Sequence, residues 1–158
     1  MVSGKKEMTF NSNTKARTKT EFLVVHCSAT GTQKVTAADI DRWHRKQGWA
    51  CIGYHYVIDR DGTLEEGRKE EVIGAHVENF NHNSIGICMA GGVDSTNINK
   101  AVNNFTEEQF KTLELLLKHL KAKYPKAVIQ GHRDFPKVAK ACPSFDVKAW
   151  VKTVGIKQ

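Results

Sequence analysis

One short segment, Glu21 to Ser28, constrains this chain more than any other. It is a β-branched and apolar run that reads as a buried strand, and near its end it carries a histidine, His26. Side chains alternate along a strand, so Leu23, Val25 and Cys27 face one way while Phe22, Val24 and His26 face the other. Cys27 is therefore expected to be a core thiol that does not share a metal with His26.

The rest of the chain supplies partners for that strand. Thr36 with Asp39 three residues on reads as a helix start, Ile40 and Trp43 follow at helical spacing, and Gly48 is a stop, which predicts a helix over Ala37 to Gln47. Gly53 to Asp59 is strand-like, Arg60-Asp61-Gly62 signals a turn, and Thr63 to Gly67 returns as the second arm of a hairpin. Ser84 to Ala90 is a further buried strand, ended by Gly91-Gly92. Thr106 with Gln109 is a capping-box signature, and Phe110, Leu113, Leu116, Leu117 and Leu120 mark one apolar face up to Tyr124-Pro125. Ala127 to Gln130 reads as a strand that delivers His132, and Asp146 caps a last helix carrying Trp150. Strands alternating with helices, plus one hairpin, predict an α/β fold with a single mixed β-sheet flanked by about three helices.

A chain of 158 residues with 40% hydrophobic content is the size of one domain, able to bury roughly 70% of its unfolded surface. Its apolar runs fall far short of the ~20 residues that cross a bilayer, so no membrane partner is expected. Met1 to Thr20 has no apolar core of a secretory signal, which predicts synthesis in the cytoplasm with the four cysteines reduced. Of the net charge of +7, this leader holds Lys5, Lys6, Lys15, Arg17 and Lys19 against Glu7. The reading is a basic, disordered tail over 1–20 and a single domain over 21–158, with no specific nucleic-acid binding.

His26, His132 and Cys142 together offer two imidazoles and a thiolate. That set suits Zn²⁺, and three protein ligands leave the fourth tetrahedral position open to water, as in a working rather than a structural zinc. No compact motif such as C-x-x-C links them, and the surrounding sequence is what gives them weight. Val25-His26-Cys27-Ser28-Ala29-Thr30, Gly53-Tyr54-His55-Tyr56, Asp61-Gly62-Thr63, Glu66-Gly67-Arg68, Gly74-Ala75-His76, Asn83-Ser84-Ile85-Gly86-Ile87 and Lys140-Ala141-Cys142-Pro143-Ser144-Phe145 follow in order. In that order they resemble the zinc-dependent N-acetylmuramoyl-L-alanine amidase family, which includes phage T7-type lysozymes and the peptidoglycan recognition proteins. The resemblance runs from about Phe22 to Trp150.

The resemblance implies one Zn²⁺ held by His26, His132 and Cys142, with Tyr54 and Lys140 as catalytic residues. Zinc would polarise the lactyl carbonyl of N-acetylmuramic acid, Tyr54 would manage the proton and Lys140 would stabilise the oxyanion. Lys140 lies two residues before Cys142, so in an extended segment both project to the same side. His76 and Asn81 become candidates for contact with the glycan or peptide, Tyr56 is expected on the strand face of Tyr54, and His55 on the opposite face as a packing residue. The implied activity is hydrolysis of the amide joining the lactyl group to L-alanine in peptidoglycan, by a monomer that reaches the cell wall after holin-type release. The alternative is a non-catalytic peptidoglycan-binding module with the same fold.

Overall fold

The structure, a computed structural model, describes residues 15–158. The sheet has five strands in the order β3-β2-β4-β1-β7: β1 is Phe22–Cys27, β2 Tyr56–Ile58, β3 Leu64–Glu66, β4 Ser84–Met89 and β7 Val128–Gly131. β1 is the axis of the fold, parallel to β4 on one side and to β7 on the other. β2 runs parallel to β4, and β3 closes the hairpin as the antiparallel edge strand. Three helices, α1 (Ala37–Lys46), α2 (Glu107–Lys123) and α3 (Val147–Thr153), complete the expected mixed α/β architecture. A separate two-stranded ribbon, β5 (Val93–Asp94) with β6 (Asn97–Ala101), was not foreseen.

Both long helices start where the side chains can satisfy orphan backbone amides. Thr36 and Thr106 each accept from the third residue of the helix while Asp39 and Gln109 reach back to the cap amide, the reciprocal pattern of a capping box. Gly48, at φ +92°, adopts the left-handed backbone that ends the α1 segment. Gln109 is also buried, and its amide donates to Ile58 O at 3.1 Å and Ala90 O at 2.9 Å, tying α2 to the ends of β2 and β4.

The sheet is covered on both faces, as a largely parallel sheet requires. Leu23, Val25, Ile58, Ile85, Ile87 and Ile129 pack with Leu113, Leu117 and Leu120 of α2 and Val147 and Val151 of α3. On the other face Val57, Cys88 and Ala90 pack against Ala37 and Ile40 of α1, and Val24 packs with Val77 and Phe135. This second face is where His26 points, and it holds the site.

Two expectations need correction. The strand read over Gly53 to Asp59 is regular only from Tyr56; Tyr54 packs with the α1-side cluster and Tyr56 with the α2-side cluster, so they do not share a face. Gly53 is pinned outside the ladder, its amide donating to His44 Nδ1 and its carbonyl accepting from Ala75, which breaks the alternation. The disordered tail expected over 1–20 lies outside the described residues for 1–14. Over 15–20 the chain is laid along Glu70 to Ile73: Ala16 bridges Val72, the Arg17 amide donates to Glu71 O, and the Arg17 guanidinium to Glu70 O.

Candidate metal centre

β1 and β7 run side by side in the same direction, pairing as far as Val25 with Gly131. The next residue on each is a histidine. Parallel pairing therefore brings His26 and His132, far apart in sequence, to the carboxyl ends of neighbouring strands, the edge of an α/β sheet where ligands characteristically sit. Their ring centroids are 4.7 Å apart.

Cys142 arrives on the loop before α3. Its carbonyl accepts from the Arg133 amide at 2.9 Å and its sulfur from the Cys27 amide at 3.2 Å. Ligand atoms of His26, His132 and Cys142 all lie within 4.8 Å of one another, and no other such group of His, Cys, Asp and Glu occurs among the described residues. His26 is buried; His132 and Cys142 are partly exposed, so the group opens to one side.

The donor set fits zinc. In a tetrahedral site with Zn–S about 2.3 Å and Zn–N about 2.0–2.1 Å, sulfur and nitrogen stand about 3.6 Å apart. Cys142 Sγ and His26 Nδ1 are 3.9 Å apart. Burial holds His26 neutral, well below its ordinary pKa, with His132 adding to the effect. His132 is lowered by burial and by the nearby Lys140 ammonium. Neutral imidazoles are the form that binds metal. The Cys27 thiol, through a hydrogen bond, and burial hold the Cys142 proton on well above the usual thiol range, and a bound cation must displace it.

Tyr54 stands beside this group, its ring centroid 5.0 Å from that of His26. Burial, then the neighbouring Cys88 and Cys142 sulfurs, push its phenol well above the ordinary range. It is a hydrogen-bond donor at neutral pH. Lys140 is exposed at the rim, close enough to His132 to depress its pKa.

His55 is the packing residue expected. Its Nε2 lies 2.6 Å from Val72 O and its Nδ1 accepts from the Gly86 amide. His76 and Asn81, read as substrate contacts, are both tied into the protein by hydrogen bonds. His76 is buried behind His26, its Nδ1 2.8 Å from His26 Nε2 and its Nε2 3.1 Å from Ser84 Oγ. Asn81 Oδ1 accepts from the His76 and Val77 amides, both at 2.8 Å. Gly86 makes this possible: a Cβ there would stand 2.6 Å from His76 Cγ. Sequence reading missed Ser84 as a polar partner; the only signal was a hydroxyl in an otherwise apolar strand.

With this geometry in place, comparison with known proteins is decisive. Residues 16–145 match the family model described as N-acetylmuramoyl-L-alanine amidase. The chain belongs to this family. The amidase is 48% identical to the endolysin of Enterobacteria phage T3 over 137 residues, covering 86% of this chain and 88% of the relative. It is 47% identical to the endolysin of Escherichia phage T7, with the same coverage. Among solved structures, the N-acetylmuramoyl-L-alanine amidase LysC from Clostridium intestinale superposes with TM-score 0.80 at 25% identity, covering 96% of each chain. Drosophila PGRP-LB shares the fold, with TM-score 0.73 at 21% identity over 95% of this chain and 90% of that one. No helix among the described residues is long and apolar enough to cross a membrane.

Proposed function

We propose that this amidase cuts the bond between the lactyl group of N-acetylmuramic acid and L-alanine in peptidoglycan, using one zinc ion held by His26, His132 and Cys142. The observation that carries the reading is the convergence of those three ligand atoms within 4.8 Å at the open end of a sheet whose family is defined by this activity. When bound, zinc supplies Lewis acidity, polarising the scissile carbonyl and making water acidic enough to attack near neutral pH.

The chain's own groups do the rest. His26, set in the rigid sheet, and His132, at the end of β7, fix the position of the cation. Tyr54 keeps its phenolic proton and donates a hydrogen bond that orients the attacking water and steers its proton. The Lys140 ammonium, on the exposed rim, faces the negative charge that develops on the carbonyl oxygen, a preorganised charge that lowers the barrier. The protein works as a monomer on the cell wall, which it reaches by holin-type release.

Mass spectrometry of digested peptidoglycan tests this reading. The expected products are stem peptides with a free L-alanine amine and glycan with intact lactyl carboxylates. Cleavage at a glycosidic or peptide crosslink bond, or binding without cleavage, would overturn it, the latter in favour of a non-catalytic module.

A further inference from the structure

His26 has two ring nitrogens, and only the one left without a proton can bind a cation. We propose that Ser84 and His76 together choose which one, making His76 a positioning residue for the metal centre; this rests on the ligand assignment above.

Each step follows from counting protons. The Ser84 hydroxyl has a single hydrogen, and it donates to Phe80 O at 2.6 Å. Toward His76 Nε2, 3.1 Å away, Ser84 must therefore accept, so Nε2 of His76 carries a hydrogen. His76 is buried with no carboxylate among its hydrogen-bond partners, and its ring carries one proton. Its Nδ1 is then bare and accepts from Nε2 of His26 at 2.8 Å. The hydrogen of His26 is thereby fixed on Nε2, and its Nδ1 lone pair is turned toward Cys142 Sγ, 3.9 Å away.

The surroundings hold this relay in register. The His76 ring stands edge-on to His26, with centroids 4.9 Å apart and planes at 85°. Asn81 Oδ1 grips the backbone at His76 and Val77, and the missing side chains of Gly74 and Gly86 leave the ring its space. His55 does not compete, because both its nitrogens are already engaged by backbone groups. Metal-ligating histidines are commonly oriented through their second nitrogen by a carboxylate or carbonyl. Here the orienting group is a second imidazole, whose own polarity is set by a serine one strand position before Ile85.

The test reads the proton directly. Nitrogen-15 NMR of the full chain, stripped of metal, should find His26 as the Nε2–H tautomer in the wild type. His76→Asn keeps an acceptor where Nδ1 lies, and should preserve that tautomer and most of the zinc affinity. His76→Leu removes the acceptor and should weaken zinc binding, measured by chelator competition, on the order of 10- to 100-fold. Ser84→Ala, a smaller change that guards against misfolding of the leucine variant, should release the tautomer of His76 and with it that of His26. An Nδ1–H tautomer of His26 in wild-type protein, or a folded His76→Leu with zinc affinity equal to wild type, would overturn the relay. Wild-type protein that binds no zinc but shows the Nε2–H tautomer would instead overturn the metal assignment while leaving the relay standing.

Discussion

The backbone amide of Cys27 donates to the sulfur of Cys142 across 3.2 Å. Strand β1 thus fixes two members of the centre at once, His26 through its own side chain and Cys142 through the next residue's main chain. An amide aimed at sulfur favours its thiolate form, and it does so whatever side chain residue 27 carries. Cys142→Ser should fold yet lose most of its zinc, because a neutral hydroxyl is a far poorer ligand than a thiolate. Cys27→Ser keeps the amide and should keep equimolar zinc. Elemental analysis of both purified variants checks this, and zinc lost on the Cys27 change alone would refute the ligand set.

Tyr54 and Lys140 are assigned to the transition state and not to the metal. Tyr54→Phe and Lys140→Ala should each retain zinc and bind a muramyl peptide, with kcat reduced on the order of 10²-fold, about 2.7 kcal/mol. Steady-state kinetics beside direct binding measures the split. Variants that turn over like wild type would remove these residues from the mechanism.

Asp59 gives the fold a pH signature away from the centre. It is buried, its Oδ1 has no hydrogen-bond partner, and burial, then the hydrogen bond with Glu65, push its pKa up to about 8, with Asp61 reinforcing and Lys34 opposing the shift. In the unfolded chain it ionises near ~3.9. Between those values the folded state binds the extra proton, so the contribution of Asp59 is complete below about pH 4 and is lost as pH rises through about 8. The half-buried His44 and the buried His55 oppose this trend, since both are held to about 4, in each case chiefly by desolvation. Comparison with Asp59→Asn isolates the carboxyl: the stability of the variant minus that of wild type should grow from pH 5 to pH 8, by at most about 1.4 kcal/mol per unit. Urea unfolding across that range measures it, and a flat difference would contradict the assignment.

Gln109 is a buried cross-brace. Gln109→Leu would leave the Thr106 amide without its side-chain acceptor and take one of two donors from Ile58 O, which keeps the Ala90 amide, and from Ala90 O, which keeps Arg60, and should cost on the order of 1–3 kcal/mol. Urea unfolding at constant pH should show a lower midpoint with an unchanged slope.

What the sequence reveals is what local patterns control. The capping pairs at Thr36 and Thr106 and the apolar stripe of α2 are written within a few residues, and the structure has them in register. The β5–β6 ribbon escapes such a reading because β6 is exposed throughout, Ile98 included, so no buried face marks it in the sequence. Tyr56 does not share the face of Tyr54 as the alternation predicts, because tertiary bonds to Gly53 bend the chain just before β2. The internal role of His76, in the loop before β4, depends on space left by Gly86 of that strand, a packing effect that no residue pattern announces. His26, His132 and Cys142 were legible only through their joint surroundings, since parallel pairing of β1 with β7 is what unites them.

The most direct test of the central claim is to strip the metal and measure cleavage. Protein shown to be zinc-free by elemental analysis should release no L-alanine-terminated peptide from peptidoglycan, and one equivalent of zinc should restore activity in the wild type but not in Cys142→Ser. Full amide hydrolysis by verified zinc-free protein would contradict the account.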